Sequence, residues 1–198
     1  FEGTSLSLAR IIQYGFASDG LQPLTAVRLF KSIVRPVLEF GAQFARFSKT
    51  QMCKLENFQY TALRTLFGLS RSVSRPMVRT FAGIQSLRSR YKILKLNYFE
   101  RICSLPSNSI IRRIGAQRIS KPNEPATSQS FFGRIRSILV EVDALDVFHL
   151  DLPPKSNALQ GVRASVSRAA RVKDQAAVSS SPQSGFFRDL FCVCPDSL

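Results

Sequence analysis

Residues 23–44 read PLTAVRLFKSIVRPVLEFGAQF and contain the clearest helical pattern of the chain. Pro23 suits the first turn of a helix, because a backbone N–H would have no partner there in any case. The apolar residues recur at three- and four-residue spacing and would share one helical face: Val27, Phe30, Val34, Val37, Leu38, Gly41 and Phe44. Pro36 lies inside this pattern, so the sequence predicts either a kinked helix or two successive helices.

The same spacing predicts further helices on both sides of this stretch. Upstream, a short helix is expected over residues 5–17. Downstream, the pattern predicts a helix over 50–67 that ends at a glycine, a short helix over 76–82, and a long helix over 87–105. A short apolar helix containing Ile110, Ile111 and Ile114 should follow.

The long helix over 87–105 is expected to have one buried side and one cationic side. The buried stripe is predicted to contain Leu87, Tyr91, Leu94, Tyr98 and Ile102. Arg88, Lys92 and Lys95 recur at helical spacing on another face.

Residues 121–125, Lys-Pro-Asn-Glu-Pro, interrupt the helical pattern and predict a domain boundary. We expect a basic helical domain over 1–122, a linker with an additional helix over 123–152, and a largely disordered tail over 153–198. The tail is rich in small and polar residues, which bury too little apolar surface to offset the entropy of ordering. Since no segment alternates apolar and polar residues over more than a few positions, the predicted fold class is all-α, an irregular helical bundle with a flexible C-terminal tail.

The positive charge is concentrated in one part of the chain. The 198 residues contain 28 Lys and Arg against 13 Asp and Glu, a formal net charge of +15 at pH 7. Residues 1–123 contain 20 of the basic and 5 of the acidic residues, whereas residues 124–198 contain 8 of each and are neutral. Positive charge at this density repels itself unless a polyanion offsets it, which favours a nucleic-acid partner over a merely solvated basic face.

Ten basic side chains are predicted to form the nucleic-acid-binding surface, because cations at helical spacing neutralise successive phosphates. They are Arg71, Arg75, Arg79, Arg88, Arg90, Lys92, Lys95, Arg101, Arg112 and Arg113. Arg118 and Lys121 extend the same basic stretch. No element for reading base edges is recognisable, so weak sequence specificity and a strong dependence on salt are expected. Most Phe and Tyr residues lie on the apolar stripes and are interpreted as core rather than as base-stacking platforms.

The sequence contains no recognisable set of residues for catalysis or metal binding. The single histidine, His149, has no nucleophile context around it and is interpreted as a core or surface residue. The acidic residues upstream of Asn123 are too few and too dispersed to share a divalent metal, and the glycines there are isolated, so no phosphate-binding loop occurs. Cys192 and Cys194 supply only half of a zinc-knuckle pattern. We therefore predict no catalytic residue, no metal and no cofactor.

Cysteine placement and the lack of targeting patterns bear on the compartment. Cys53 and Cys103 lie on apolar faces of predicted helices, which is typical of free thiols in a reducing environment. No stretch approaches the roughly 18 uncharged apolar residues of a membrane helix, and no signal-peptide pattern opens the sequence. We expect an intracellular protein, nuclear or cytoplasmic, that is not secreted and has no membrane partner. The start at Phe1 rather than at a methionine predicts a fragment of a longer protein.

Three ordered motifs carry a family resemblance. The strings LFKSIVRPVLEFGA over 29–42, LENFQYTALRTLFG over 55–68 and AGIQSLR over 82–88 occur in this order. Together they resemble the region that follows the polymerase palm in reverse transcriptases of LINE-type, non-LTR retrotransposons, over roughly residues 5–105. The pattern departs at Phe44-Ala45, where that family generally has a tryptophan shortly after the Gly-Ala pair.

The resemblance implies the thumb and connection of such a polymerase, which grip the template-primer duplex along its backbone. The family's catalytic aspartate motif lies upstream of this region and has no counterpart here, so no catalytic residue is carried over. The parent protein would be an RNA-directed DNA polymerase, and the missing upstream polymerase domain would be a partner of this chain.

Two functions remain open from the sequence. The first is a non-catalytic fragment of a retrotransposon reverse transcriptase polyprotein, a protein encoded by a transposable element. This fragment would bind the backbone of an RNA or DNA duplex through its basic helical surface. The second is a helical protein-interaction module whose basic face meets an acidic partner. An enzyme with an unfamiliar site ranks below both, because neither a convergent carboxylate set nor a usable base is visible.

Overall fold

The computed structural model describes residues 22–119, 130–148 and 156–180. All regular elements in these ranges are helical and none is a strand, so the all-α prediction is confirmed. The helix predicted over 5–17 lies outside the described residues. The elements are α1 (Pro23–Leu29), a π-helical turn (Phe30–Val34), α2 (Arg35–Glu39), α3 (Lys49–Leu66), α4 (Arg75–Ala82), α5 (Leu87–Cys103), α6 (Ile110–Ile119), α7 (Phe131–Glu141), a 3-10 turn (Leu145–Val147) and α8 (Ser156–Ser179).

The chain divides into two compact units. The first unit comprises Phe1–Phe40, Phe47–Arg88 and Ala170–Leu198, and the second comprises Gly41–Arg46 and Ser89–Ala169. This division does not follow the boundaries expected near residues 122 and 152. The reason is that the described residues after 130 contribute to both units instead of forming a linker and a tail.

A π-helical turn accommodates the proline inside the first long pattern. Phe30–Val34 is π-helical, and Pro36 then occupies the first turn of α2, where its missing N–H costs little. The helix ends at Glu39 rather than continuing to Phe44, because Gly41 adopts a left-handed conformation with φ +69°. Val27, Phe30, Val34 and Leu38 are buried as predicted. Val37, which was assigned to the same stripe, is 50% exposed.

Helix α3 matches its predicted range to within one residue at each end. Ser48 and Gln51 form a capping box, in which Gln51 N–H donates to Ser48 Oγ over 3.1 Å and Ser48 N–H donates to Gln51 Oε1 over 2.9 Å. Gly68, with φ +64°, follows its C-terminal cap. The buried face of α3 packs against the π-helical turn and against α4; it contains Leu55, Gln59, Ala62, Leu63 and Leu66.

Gln59 is the one buried polar residue of this face. Its side chain is 2% exposed, and its Nε2 donates a 2.9 Å hydrogen bond to the backbone carbonyl of Gln85. This hydrogen bond connects α3 to the segment between α4 and α5. It gives a partner to the Gln85 carbonyl, which accepts no hydrogen bond within a helix.

The core of the second unit is built on α5. Its buried members are Ile93, Leu96, Phe99, Ile102, Cys103, Ile135, Ile138, Leu139, Leu159, Val162 and Val166. The prediction of one buried stripe on α5 was wrong: Leu87, Tyr91 and Ile102 are buried as expected, but a second row that includes Leu96 and Phe99 is buried as well. Since apolar residues occupy both rows, little of the helix surface remains for the cationic face.

The additional helix expected within residues 123–152 occupies only part of that range. It corresponds to α7, which ends at Glu141, and Asp143 then adopts a left-handed conformation with φ 54°. After the 3-10 turn, Phe148 returns to the core and stacks on Phe99, with ring centroids 5.9 Å apart. Leu145, which was assigned to the apolar face, is exposed.

The start of the disordered tail at residue 153 is corrected, because α8 occupies Ser156–Ser179. Its stripe of Leu159, Val162 and Val166 is buried in the core of the second unit. Arg163 reinforces this docking, since its Nη1 donates to Glu100 Oε2 over 2.6 Å and to Asn97 Oδ1 over 2.8 Å. Small apolar residues therefore suffice here, because they fill a core whose large side chains come from other helices.

Helix α6 forms where a short apolar helix was predicted, but its isoleucines are not buried. Ile110, Ile111 and Ile114 are exposed by 72%, 49% and 51%.

Replacement of Gln59 by leucine is expected to lower the free energy of unfolding by about 1–2 kcal/mol, because the partly buried Gln85 carbonyl loses its partner. Chemical denaturation followed by circular dichroism measures the change. Gln175→Leu, at an exposed position of α8, is the matched control and should change stability far less. Equal stability of the Gln59 variant and the control would contradict a stabilising role for this hydrogen bond.

Candidate nucleic-acid interface

The ten predicted phosphate-binding side chains are divided between the two units. Arg71, Arg75, Arg79 and Arg88 belong to the first unit. The second unit contains Arg90, Lys92, Lys95, Arg101, Arg112 and Arg113. The two sets are therefore separate candidate surfaces.

In the first unit, basic residues gather around the side chain of Tyr60. The Tyr60 hydroxyl donates to the Val73 carbonyl over 2.7 Å, which fixes the loop between α3 and α4 against α3. The guanidinium carbon of Arg64 lies 5.8 Å from the centre of the Tyr60 ring, and that of Arg75 lies 6.0 Å from it. One phenol ring thus holds two arginines through cation–π contacts. The backbone carbonyl of Arg71 lies 3.4 Å from the Tyr60 hydroxyl, and we call Tyr60, Arg64, Arg71 and Arg75 the Tyr60 cluster.

The positive charges of the Tyr60 cluster are not neutralised by the described residues. Arg71 and Arg75 are exposed, and neither forms an ion pair within the described ranges. Arg64 is half-buried, and its Nε has no hydrogen-bond partner there. The cluster therefore presents two exposed guanidinium groups, those of Arg71 and Arg75, to an external acceptor.

Sequence reasoning assigned Arg71 and Arg75 to this interface and missed Tyr60 and Arg64. The sequence analysis assigned no role to Tyr60, whereas its ring and hydroxyl contact the basic loop and its arginines. The available signal was the four-residue separation of Tyr60 and Arg64 at the end of a helix that leads directly into a basic loop.

Arg79 is engaged inside the protein. Its Nε donates to Asp174 Oδ2 over 3.0 Å and its Nη2 to Asp174 Oδ1 over 2.5 Å, and both side chains are 14% exposed. This two-point pair uses the fork that a phosphate would need, so the assignment of Arg79 to the interface is corrected. The fourth residue of the set, Arg88, is exposed.

In the second unit, several of the predicted residues also have internal partners. Lys92 Nζ lies 2.6 Å from both carboxylate oxygens of Glu141, and Arg112 Nη1 donates to the Leu105 carbonyl over 2.6 Å. Arg101 and Arg113 are exposed, whereas Arg90 is half-buried.

Lys95 is half-buried between α5 and α7 rather than extended into solvent. Burial, and then the positive charge of Arg134 on α7, lower the pKa of the Lys95 ammonium to about 8. Burial, followed by the charge of Arg46, also lowers the pKa of Arg134. Arg134 therefore lies within electrostatic reach of both Lys95 and Arg46.

No cluster of metal ligands occurs in the described ranges, where no three His, Cys, Asp or Glu side chains lie together. Burial raises the pKa of the Cys103 thiol to about 11, which leaves this cysteine protonated and unreactive at neutral pH. His149, Lys121, Cys192 and Cys194, and the side chain of Arg118, lie outside what the structure describes. Among the described helices, none has the length and apolar character required to cross a bilayer.

Comparisons with protein-family models, with curated proteins and with solved structures give no match.

The Lys95→Met variant is expected to be more stable than the wild type at pH 7. The pKa of Lys95 is about 8 in the folded chain and about 10.4 in the unfolded chain, so the unfolded chain binds more protons between these values. The wild type should therefore gain stability relative to the variant as pH rises from about 8 to about 10.4. Urea denaturation of both proteins across this range measures the difference. Lys54→Met, at an exposed position, is the control, and a pH-independent difference for Lys95→Met would contradict the lowered pKa.

Proposed function

We propose that this chain is a non-catalytic, nucleic-acid-binding region of a retrotransposon reverse transcriptase polyprotein, and that it grips the phosphate backbone of an RNA or DNA duplex. The observation that carries the proposal is the Tyr60 cluster, in which cations without a carboxylate partner are held in place around one ring. The resemblance of residues 29–42, 55–68 and 82–88 to the thumb and connection of LINE-type enzymes supports the assignment.

The chemistry of the Tyr60 cluster suits phosphates better than bases. A guanidinium group offers planar, forked donors that match phosphate oxygens. Arg64 and Arg75 occupy positions over the Tyr60 ring, so this ring is a poor platform for stacking a base. Binding is accordingly backbone-directed, tolerant of sequence and sensitive to salt.

In the proposed setting, catalysis belongs to the polymerase domain upstream and this chain contributes affinity for the template-primer duplex. The exposed Arg101 and Arg113 add positive charge from the second unit, and no cofactor is required. A role on such a duplex implies an intracellular location, nuclear or cytoplasmic.

Reversing the two exposed charges of the cluster tests the proposal. The Arg71→Glu/Arg75→Glu variant should bind a fluorescent duplex at least about tenfold more weakly at low salt, since each phosphate contact contributes a counterion-release term. The slope of log K against log salt should fall in magnitude by about 2, because two phosphate contacts are lost. Polarisation titrations at several salt concentrations provide both quantities.

The matched control is Arg28→Glu/Lys31→Glu, which reverses two exposed charges elsewhere in the first unit. This variant has the same net charge but keeps the Tyr60 cluster, so its affinity should fall much less. Equal losses in the two variants would show that binding follows net charge alone. If polyglutamate of matched charge competed as well as the duplex, the protein would instead be an acidic-partner module.

A further inference from the structure

A second cationic site lies between two antiparallel helices of the second unit. Lys92 of α5 pairs with Glu141 of α7, and Tyr98 of α5 contacts Phe131 of α7 with ring centroids 5.5 Å apart. Higher residue numbers on α5 therefore lie opposite lower numbers on α7, so the two helices run antiparallel. Lys95 and Arg134 both lie between these two contacts along their helices, and the charge of Arg134 acts on Lys95.

The guanidinium group of Arg134 is almost without partners. Its Nε and Nη1 are buried and make no hydrogen bond to the described residues. Its Nη2 makes a single long contact of 3.4 Å with the carbonyl of Phe44. A buried charged donor that is left unpaired is unfavourable, and a native site that contains one calls for a compensating acceptor.

The nearby carboxylates of this unit are used elsewhere. Glu141 pairs with Lys92, and Glu100 pairs with Arg163. Neither of them forms an ion pair with Lys95 or Arg134. The surroundings are instead aromatic, because Phe44 packs edge-on against Tyr98 at 4.5 Å and Tyr98 packs against Phe131. These rings supply no acceptor for the Arg134 guanidinium, so its donors are not satisfied by the aromatic side chains beside it.

Arg46 adds a third positive charge from the segment that contains Phe44. It follows Phe44 by two residues, and its charge acts on Arg134. The N-terminus of α7 is already capped, because the Ser130 side chain accepts from the Gly133 N–H over 3.0 Å. The open donors therefore belong to side chains and not to the helix terminus.

We propose that Arg46, Lys95 and Arg134 form a binding site for a phosphate group. A phosphate carries up to two negative charges and several acceptor oxygens, which match three cations and the free donors of Arg134 better than a single carboxylate does. The phosphate is either a free phosphate or one of a nucleic-acid backbone. The site does not involve the Tyr60 cluster and stands independently of the function proposed above.

Thermal unfolding of the full chain in sodium phosphate and in sodium chloride, at pH 7 and equal ionic strength, tests the site. When phosphate exceeds its Kd about tenfold, the wild-type midpoint should rise by about 3–5 °C relative to chloride. Arg134→Met should be at least as stable as the wild type in chloride, because it removes an unpaired buried charge, yet it should lose the response to phosphate. A merely structural role for Arg134 would give the opposite result in chloride.

Controls separate this site from general charge effects and from the Tyr60 cluster. Arg101→Met removes an exposed cation of α5 and should keep the full phosphate response, as should Arg71→Glu/Arg75→Glu. A wild-type midpoint that is equal in phosphate and chloride, or an unchanged response in Arg134→Met, would overturn the proposal.

Duplex titration of Arg134→Met then distinguishes the two sources of the phosphate. A duplex affinity about tenfold weaker than that of the wild type identifies a backbone phosphate as the ligand. Unchanged duplex affinity together with the lost phosphate response identifies a free phosphate.

Discussion

Burial of two rows of side chains on α5 is the constraint on which the second unit depends. Leu96 and Phe99 are completely buried, and α7 and α8 contribute Ile135, Leu139 and Leu159 to the same core. Because these contacts use so much of the surface of α5, its basic residues are confined to narrow strips beside apolar neighbours. Lys92 and Lys95 are half-buried for this reason, and their charges have to be balanced locally. Lys92 obtains this balance from Glu141, whereas Lys95 has another cation as its neighbour.

Carboxylates are scarce in this protein, and their placement determines which cations face outward. Asp174 engages Arg79, Glu100 engages Arg163, and both pairs connect α8 to other elements within their respective units. Three of the seven described acidic residues thus join helices, and the arginines around Tyr60 form no ion pair with the described residues. A positive surface of this kind results from how the few anions are used as much as from the number of cations.

Much of the helical architecture could be predicted from periodicity, capping residues and glycine stops. The bounds of α3 and α4 follow directly from Ser48, Pro76, Gly68 and Gly83, because the signals are local. The ending of α7 at Glu141 and the docking of α8 were missed, since neither follows from local signals alone. For example, Val162 and Val166 are too small to indicate a core position until the large side chains opposite them are known.

The candidate sites show the same limit. Charge density identified Arg71 and Arg75, but no sequence pattern reveals that Arg79 is paired with a residue 95 positions away. Periodicity likewise placed Lys95 on a solvent-exposed face, because only one row of buried apolar residues was predicted for this helix. The approach of Lys95 to Arg134 depends on the register of two helices separated by a long connection, which local spacing does not encode.

The position of α8 after the helices that it contacts affects the order of events during synthesis. Leu159 fills the core of one unit, and Asp174 completes an ion pair in the other. On the ribosome, the upstream helices emerge before either contact is possible, so neither unit attains its final packing until α8 has left the exit tunnel. Nascent chains truncated before residue 156 would therefore expose Phe99, Leu96 and their neighbours to chaperones.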